Sequence, residues 1–504
     1  MKAQNPSIGR IFTPLNWAQW LAKKSGAYLA WRSGASVLDP TCGDGAFLEA
    51  LISIHLQEHA SVSSEMLSRL YGIEIVPEDK KAFLQRMKSR YSIEFPNDNF
   101  LCSDILDEQA DIKCDFLIGN PPWSNFTDLP QYAKDSWADA FIKHGLVKSK
   151  KDVLLGKSRA DFCALIIKKA IDLNLRANGR ASFFAPLSIL FNDGANDEFR
   201  PHPNSSHGYS ITSIWDFEGN GVFDGVATRY GAIDFAKCES QKWPVPTWVQ
   251  ADGEWRELSS TSCDRRSGGW VRHEKGQLAT SAPRIIASLD NKPRQGVNTC
   301  GANDVFIFSK TSQGLVDKNG NIVDLEADLL FPLMERSIFQ ASTTEPGEAL
   351  KWILIPHDTK TGKCLSRDEL SKFPKSERYL LQHEQRLRNR KGTIIRTSIS
   401  KGRWWSLLGV GRYSFARYKV AWEALGQKAF RPVLIDGIWQ GNQAMHAFCP
   451  CSSKEEGVNI RNALAVREVE AWLKSFSMSG TCNWAQPGKV AKVFDFELEQ
   501  LTLL

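Results

Sequence analysis

The residues best suited to chemistry form the sequence Asn120-Pro121-Pro122-Trp123, which follows the apolar run 116–118. Proline fixes its own φ and has no amide hydrogen, so two successive prolines give a rigid turn with carbonyl groups free to accept. The side-chain carbonyl of Asn120 and the backbone carbonyl of Pro121 could accept both hydrogens of one planar amine. Accepting both hydrogens makes the amine nitrogen a better nucleophile, and Trp123 offers a stacking face. The pattern predicts a site that captures and activates an exocyclic amine.

Acidic residues stand at the ends of three earlier apolar runs. Asp39 ends the first run and precedes a turn with two glycines, Glu74 ends the second, and Asp104 ends the third. A carboxylate at the end of a second strand can accept bonds from both hydroxyls of a ribose. Ile75 could cover one face of an adenine ring, and Asp104 could accept its amino group. Each acid alone is also typical of an ordinary surface or capping residue. Their succession along the chain predicts a nucleoside site.

Short apolar runs alternate with helical stretches between about residues 35 and 240. The expected strands are 36–38, 71–75, 100–105, 114–118 and 181–185, and the clearest expected helices are 47–57 and 162–176. This alternation predicts an α/β fold with a mostly parallel, doubly wound sheet covered on both faces. The runs 211–217 and 230–236 could complete the sheet as an antiparallel edge. Ligands of such sheets bind at the carboxyl ends of the strands, where the turn residues above would lie.

The character of the chain changes after about residue 246. Residues 257–269 are rich in Ser, Thr, Arg and Gly, which is typical of a linker or exposed loop. Residues 384–431 contain twelve Lys or Arg against two acids, a net charge of +10 that exceeds the +6 of the whole chain. Aromatic residues are interleaved with these charges, and the chain has 17 tryptophans, whose flat faces suit nucleobases. The segment predicts a polyanion-binding surface, with a solvated basic face as the alternative.

With these motifs in this order, the chain resembles the gamma class of amino-methylating DNA methyltransferases, which form N6-methyladenine with S-adenosylmethionine. The resemblance includes Gly9-Arg10-Ile11-Phe12-Thr13-Pro14, which matches the tenth motif of that family. It implies a Rossmann-like S-adenosylmethionine-dependent methyltransferase domain over residues 1–245. A linker or exposed loop over 246–290 and a mixed α+β DNA target-recognition domain over 291–504 would follow.

The resemblance also implies roles for individual residues. The residues around the cofactor would be Thr13, Asp39, Cys42, Gly43, Glu74, Ile75, Asp104 and Ile105. The residues that hold the target adenine, after its rotation out of duplex DNA, would be Asn120, Pro121, Pro122 and Trp123, with Phe223 as a second stacking ring. The predicted contacts to DNA are Arg386, Arg388, Arg390, Lys391, Arg403, Arg417 and Lys419.

The same amine-binding corner suits other substrates, so two further classes of function stay open. Enzymes that methylate RNA, or a glutamine amide in a protein, use an Asn-Pro-Pro-aromatic sequence too, although they rarely carry a long basic second half. Alternatively, the chain could be a modification subunit that acts only with a partner. Only twelve residues precede Thr13, too few for a nuclease domain. A separate nuclease or ATPase of a restriction or anti-phage system is therefore a possible partner.

Composition excludes several other classes. The 504 residues are 42% hydrophobic and 24% charged, which is typical of two or three globular domains. No apolar stretch approaches the roughly 18 residues of a membrane helix, and residues 1–10 lack the apolar run of a signal peptide. We therefore expect a cytoplasmic location and no membrane partner. The 11 cysteines form no CxxC pair, so we expect neither structural zinc nor a metal in the site.

Overall fold

The computed structural model describes residues 11–107, 112–124, 131–147, 161–192, 196–203, 207–218, 221–223, 226, 228–262, 269–276, 283–340, 348–425, 429–475 and 483–497. The chain divides into two compact units, Met1–Ala279 and Thr280–Leu504. Each unit has its own sheets and its own apolar core.

The first unit is built on a ten-stranded sheet. Its described strands are β1 (Val37–Asp39), β2 (Leu70–Glu74), β3 (Phe100–Cys102), β4 (Cys114–Gly119), β5 (Leu175–Pro186), β6 (Tyr209–Asp216), β7 (Tyr230–Lys237), β8 (Val245–Ala251), β9 (Glu254–Thr261) and β10 (Val271–Glu274). Their order across the sheet is β10-β9-β8-β6-β7-β5-β4-β1-β2-β3. Strands β3, β2, β1, β4 and β5 run parallel, and β7 lies antiparallel between β5 and β6. The predicted Rossmann-like α/β fold is confirmed.

Helices connect these strands. They are α1 (Leu15–Lys24), α2 (Ala27–Arg32), α3 (Ala46–Glu58), α4 (Ser64–Leu67), α5 (Pro77–Tyr91), α6 (Gln131–Lys143), α7 (Phe162–Lys169) and α8 (Ser188–Phe191). Helix α7 continues into a π-helical turn, Ala170–Asn174, which leads directly into β5. Within the described parts of both units, no helix has the length and apolar character needed to cross a membrane.

Helix α3 is buried on nearly all sides, which suits its apolar sequence. It carries one buried acid, Glu49, whose carboxylate accepts hydrogen bonds from Arg86 Nε at 2.6 Å and Tyr91 Oη at 2.9 Å, both on α5. A buried charge needs such partners to remain stable. The contacts fix α3, and with it the glycine turn at its start, against the helix that follows β2.

The stretch 246–290, which we expected to be a linker or exposed loop, is largely part of the sheet. Strand β8 pairs in parallel with β6, and β9 pairs antiparallel with both β8 and β10. The hydroxyl groups that suggested a loop are in part buried and satisfied, since Thr247 Oγ1 lies 2.7 Å from Ser260 Oγ. Hydroxyl pairs of this kind stabilise neighbouring strands, so Ser and Thr do not mark a loop here. The boundary between the units falls at residue 279.

The described strands of the second unit are β11 (Ile285–Ser288), β12 (Arg294–Gln295), β13 (Ile307–Thr311), β14 (Gly314–Val316), β15 (Ile322–Val323), β16 (Leu330–Pro332), β17 (Lys351–Leu354), β18 (Tyr418–Glu423), β19 (Val433–Asp436), β20 (His446–Cys451) and β21 (Phe494–Glu497). They form three sheets, with strand orders β15-β14-β13-β17-β16, β12-β20-β18-β19 and β11-β21. The predicted mixed α+β character is confirmed.

Nine described helices accompany these sheets. They are α9 (Asn303–Phe306), α10 (Arg336–Gln340), α11 (Arg367–Leu370), α12 (Pro374–Gln382), α13 (Glu384–Arg388), α14 (Thr393–Ser400), α15 (Lys454–Leu464), α16 (Arg467–Ser475) and α17 (Pro487–Val490). The largest core of this unit packs around β13, β16 and β17 and includes residues of α12 and α13.

Many of the tryptophans serve packing rather than an open stacking surface. In the first unit, Trp20 contacts Trp17 edge to face, with ring centroids 5.9 Å apart. In the second unit, Trp404, Trp405 and Trp422 are each at most 1% exposed. The indole N–H groups of Trp405 and Trp422 donate to backbone carbonyls at 3.1 and 2.7 Å. The suggestion that the tryptophan excess provides faces for nucleobases is therefore wrong for these residues, whose area stabilises the cores.

The glycine turn before α3 gives a stability prediction. Gly45 precedes α3 with φ +86°, and a Cβ there would lie 2.1 Å from Phe83 Cδ2. Gly26 precedes α2 with φ +82°, but a Cβ there meets nothing within 4 Å. Both alanine substitutions introduce backbone strain, but only Gly45→Ala adds a clash, so it should cost about 2 kcal/mol more than Gly26→Ala. Urea unfolding of the two variants measures the difference; equal losses would contradict the packing at Gly45.

Candidate active site

The sheet brings the predicted site residues to one edge. The strand order reverses between β1 and β4, and open α/β sheets bind ligands at the carboxyl ends of the strands beside such a point. Asp39 ends β1, Glu74 ends β2, and Asn120 follows directly on β4. A Cβ at Gly119, the last residue of β4, would lie only 2.7 Å from Asp39 Oδ1. Glycine is therefore required where the end of β4 passes the carboxylate of Asp39.

The side chain of Asn120 is held in one orientation by the segment before α1. Its Nδ2 group donates to Ile11 O at 3.2 Å and to Thr13 Oγ1 at 3.1 Å. Its Oδ1 atom is buried and has no hydrogen-bond partner among the described residues. Because both amide hydrogens are engaged, the carbonyl oxygen is left as an acceptor with nothing to accept. A buried acceptor of this kind is stabilised when a ligand supplies the donor.

The carboxylate of Asp39 provides another buried acceptor, in addition to Asn120 Oδ1, that lacks a hydrogen-bond donor. Its side chain is 1% exposed, Oδ1 accepts from Thr41 N at 3.1 Å, and Oδ2 has no partner among the described residues. Burial raises the pKa of the Asp39 carboxyl well above its usual range; the bond from Thr41 N opposes this, and the negative charges of Glu74 and Asp44 add to it. A cationic or hydrogen-bond-donating ligand would offset the cost of burying this carboxylate.

Glu74 joins β2 to the glycine turn. Its Oε2 atom accepts from Gly43 N at 2.8 Å and its Oε1 atom accepts from Val76 N at 3.0 Å. A carboxylate has about four acceptor positions, so two remain available after these bonds. Ile75 follows at once in the chain, and its apolar side chain is 55% exposed. A carboxylate beside an exposed apolar surface suits a ligand with hydroxyl groups next to a flat ring.

Cys42 contributes differently from its neighbours in the turn. It is 4% exposed, its amide donates to Ile73 O at 2.8 Å, and burial raises the pKa of its thiol well above the usual range. A Cβ at Gly72 would lie 2.8 Å from Cys42 Sγ, so the thiol packs against β2. The side chain of Cys42 therefore belongs to the core, and its predicted proximity to a ligand rests on the backbone.

The structure places Asp104 and Ile105 one residue beyond the end of β3, at the same edge of the sheet. Asp104 Oδ1 accepts from Leu106 N at 2.9 Å, and Ile105 is 6% exposed. Burial raises the pKa of the Asp104 carboxyl, while hydrogen bonds from Leu106 N and the Trp137 side chain oppose the shift. Asp104 thus closes its own turn, and one of its oxygens already has a backbone partner.

Three aromatic rings meet beside Asn120. The ring centroid of Trp123 lies 5.2 Å from that of Phe223, edge to face, and 5.4 Å from that of Tyr230. Tyr230 Oη accepts from Val222 N at 2.8 Å and from Phe223 N at 3.2 Å, which fixes the Phe223 backbone. Phe223 is only 4% exposed. The rings therefore touch, and no slot for a base lies between Trp123 and Phe223.

This arrangement changes the roles that the resemblance implied. Phe223 was expected to form a second stacking surface, but its burial and its edge-to-face contact make it a support for Trp123. Tyr230, at the start of β7, was missed by the sequence analysis. The sequence did offer a signal for Tyr230, because it is the first residue of the strand that follows Phe223 after a short connection. An aromatic residue at that position lies near the Phe223 segment when the strand begins.

Two of the seven basic residues predicted to contact DNA lie inside the second unit. Arg390 is 2% exposed and donates to the carbonyl oxygens of Leu387, Thr299 and Trp404 at 3.1, 3.1 and 2.6 Å. Lys419 is fully buried, and burial lowers its pKa to about 7. The predicted DNA contacts of Arg390 and Lys419 are therefore wrong for this structure, since both cations are enclosed by the fold.

The other five basic residues are exposed, but they differ in their partners. Arg386, Arg388 and Arg417 form ion pairs with Asp304, Glu384 and Asp436 respectively. Lys391 and Arg403 have no ion-pair partner in the part of the chain that the structure describes. Exposed cations without acidic neighbours are the ones best able to bind a polyanion.

Comparison with known proteins relates the part of the chain that holds this site to a family of methylases. Residues 2–202 match the family model of the N-6 DNA methylases. The type II methyltransferase M.NspV of Nostoc sp. is 23% identical over 447 residues, which cover 79% of this chain and 80% of the relative. The type II methyltransferase M.CvrRI of Paramecium bursaria Chlorella virus XZ-6E is 26% identical over 189 residues, which cover 38% of this chain and 39% of the relative. The match to the viral protein thus spans less than half of its length.

A solved structure supports the fold. The Type IIL restriction-modification enzyme MmeI, in complex with DNA, is similar with a TM-score of 0.56 and 15% sequence identity, covering 94% of this chain and 65% of that chain. The family model and the type II methyltransferase relatives confirm the resemblance to amino-methylating DNA methyltransferases that the motifs predicted. Residues 2–202, the part of the chain that is similar to the N-6 DNA methylases, contain the Asn120 corner and the acidic strand ends.

Proposed function

We propose that the chain is a site-specific DNA methyltransferase that transfers a methyl group from S-adenosylmethionine to the N6 amine of an adenine rotated out of duplex DNA. The observation that carries the proposal is the hydrogen bonding of the Asn120 side-chain amide. Its amide hydrogens are held by Ile11 and Thr13, and its Oδ1 atom is buried without a partner. The family match of residues 2–202 and the type II methyltransferase relatives support this substrate class.

The chain's own residues would act on the target base. Asn120 Oδ1 and the carbonyl of Pro121 would accept the two hydrogens of the amine, which makes the lone pair of its nitrogen available for attack. Pro122 has no amide hydrogen to compete for these acceptors. Trp123 would stack on the base, supported from behind by Phe223 and Tyr230. Stacking and hydrogen bonds offset the few kcal/mol that it costs to take a base out of the duplex.

The residues at the carboxyl ends of β1 and β2 fit S-adenosylmethionine. Its positively charged α-ammonium group suits the unpartnered Oδ2 atom of Asp39, and Thr13 and the amide of Gly43 line the same end of the sheet. Glu74 would bind the ribose and Ile75 the adenine, with Asp104 and Ile105 beside them. When bound, S-adenosylmethionine supplies an electrophilic methyl group.

The same proposal includes the setting of the reaction. The relatives named type II methyltransferases support a role in a restriction-modification system. Duplex DNA would be the macromolecular partner, bound in part by exposed cations of the second unit. A separate nuclease or ATPase of a defence system would be a further partner.

Transfer of a tritiated methyl group to matched nucleic acids tests the substrate class. We expect incorporation into duplex DNA at adenine and none into RNA of the same sequence. Incorporation into RNA alone, or into a protein glutamine, would replace the proposed substrate with one of the other planar amines that the corner can bind.

Substitution of Asn120 tests the proposed acceptor. Asn120→Ala should lower the rate of methyl transfer by at least about 100-fold, because one of the two acceptors for the amine is lost. The affinity for S-adenosylmethionine, measured by calorimetry, should change by less than about threefold. Asn99→Ala is the matched control, since Asn99 Nδ2 also donates two hydrogen bonds, here to the carbonyls of Ser68 and Leu70, but lies at the amino end of β3. An unchanged rate in Asn120→Ala would remove Asn120 from its proposed role.

Substitution of Glu74 tests the ribose site. Glu74→Gln keeps an oxygen that can accept from a backbone amide but loses the charge that strengthens hydrogen bonds to ribose hydroxyls. We expect the affinity for S-adenosylmethionine to fall roughly 10- to 100-fold. Glu78→Gln, at an exposed acid in the first turn of α5, should leave the affinity unchanged. Equal affinities of the two variants would place the ribose elsewhere.

A further inference from the structure

Helix α14 of the second unit has one polar face with the chemistry of a base-reading surface. Thr393, Arg396, Thr397 and Ser400 are spaced at i, i+3, i+4 and i+7, so their side chains project from the same side of the helix. All four are exposed, and with Gly392 they line a shallow depression of the surface. The face thus presents one guanidinium and three hydroxyl groups to the outside.

The opposite side of α14 anchors the helix to the unit. Ile395 is fully buried and Ile399, one turn later, packs partly buried against the same core that contains Leu387 and Trp404. An amphipathic helix with one apolar side in the core is held in a defined orientation. The polar face of α14 is therefore positioned by the fold.

Two hydroxyl groups on this face already use their hydrogens within the helix. Thr397 Oγ1 donates to Thr393 O at 3.1 Å, and Ser400 Oγ donates to Thr397 O at 3.0 Å. Each hydroxyl has one hydrogen and two lone pairs, so its oxygen remains an acceptor toward the outside. Arg396 can only donate. The face therefore combines the guanidinium donors of Arg396 with the hydroxyl acceptors of Thr397 and Ser400, which lie within about one helical turn.

The charges around α14 suit a phosphate backbone. Lys391 precedes the helix, and Lys401 and Arg403 follow it; all three are exposed. Residues 385–422 contain no Asp or Glu, so no acid within this segment opposes a polyanion. Exposed cations at both ends of a helix can contact phosphates on both sides of a groove.

We propose that α14 enters the major groove of the DNA substrate and reads its sequence. Arg396 would donate both bonds to O6 and N7 of a guanine, and Thr397 and Ser400 would accept from the exocyclic amine of a neighbouring adenine or cytosine. Lys391, Lys401 and Arg403 would contact phosphates. An α-helix with its side chains is about 10–12 Å across, which matches the roughly 12 Å width of the major groove. The inference rests on the proposed DNA methyltransferase function.

The test compares the methylated motif of variants of the full chain. Each variant is expressed in cells that lack other adenine methylation, and modified adenines are located by sequencing. Arg396→Ala should relax one guanine position of the motif and lower the methylation rate at the original motif about 5- to 150-fold. Thr397→Val keeps the shape of the side chain and should relax a different position, where the wild type requires adenine or cytosine.

A second measurement separates sequence reading from phosphate binding. The double variant Lys391→Ala, Arg403→Ala should weaken binding to all duplexes alike and reduce the slope of log affinity against log salt by about two, with the motif unchanged. Arg367→Ala is the control, because Arg367 is an exposed arginine of the same unit that is followed by two acids. It should alter neither the motif nor the slope. Circular dichroism verifies that the substituted helix is intact.

The outcomes distinguish this inference from the proposed function. If Arg396→Ala and Thr397→Val methylate the original motif at the wild-type rate, α14 does not read DNA, although the wild-type activity stands. If the wild type methylates no adenine but the double variant still flattens the salt slope, the DNA surface stands and the proposed reaction fails. If the double variant also binds as the wild type does, the surface around α14 is not a DNA contact.

Discussion

The site depends on the hydrogen bonds that hold the amide of Asn120. Ile11 and Thr13 engage its two hydrogens, and these residues are 107 or more positions away in sequence. Without them the amide could turn and present a donor where an acceptor is needed. The segment before α1 therefore shapes the amine-binding corner as directly as the strand that carries it. Phe12 of the same segment lies beside the glycine turn, with its Cε1 atom 3.9 Å from the position of a Cβ at Gly43.

Much of the first unit was predictable because its elements are encoded locally. Each apolar run that ends in Asp39, Glu74 or Asp104 is a strand of the parallel sheet, and the turns follow where glycine and proline stand. The strands within residues 246–290 were not predictable in this way. Their Ser and Thr residues look like a loop in sequence, but pairs such as Thr247 and Ser260 satisfy each other across two strands. Composition does not reveal such pairing.

The candidate site was predictable in its residue types and less so in its contacts. The sequence placed an aromatic residue at 123 and a second at 223, but it could not show that the two rings touch or that Tyr230 holds both. Charge counting likewise identified a basic segment without separating its members. Arg390 and Lys419 are as basic as Lys391, yet their neighbours enclose them, and only the tertiary structure shows which cations face solvent.

The buried guanidinium of Arg390 has a consequence for how target preference could diverge. Its three bonds to Leu387, Thr299 and Trp404 join separate segments of the chain, and they lie next to α14 without using any residue of its outer face. The outer side chains are therefore free to vary while the framework beneath them keeps its geometry. Related chains could therefore exchange the residues of that face as a unit and acquire a new sequence preference with little loss in the free energy of unfolding.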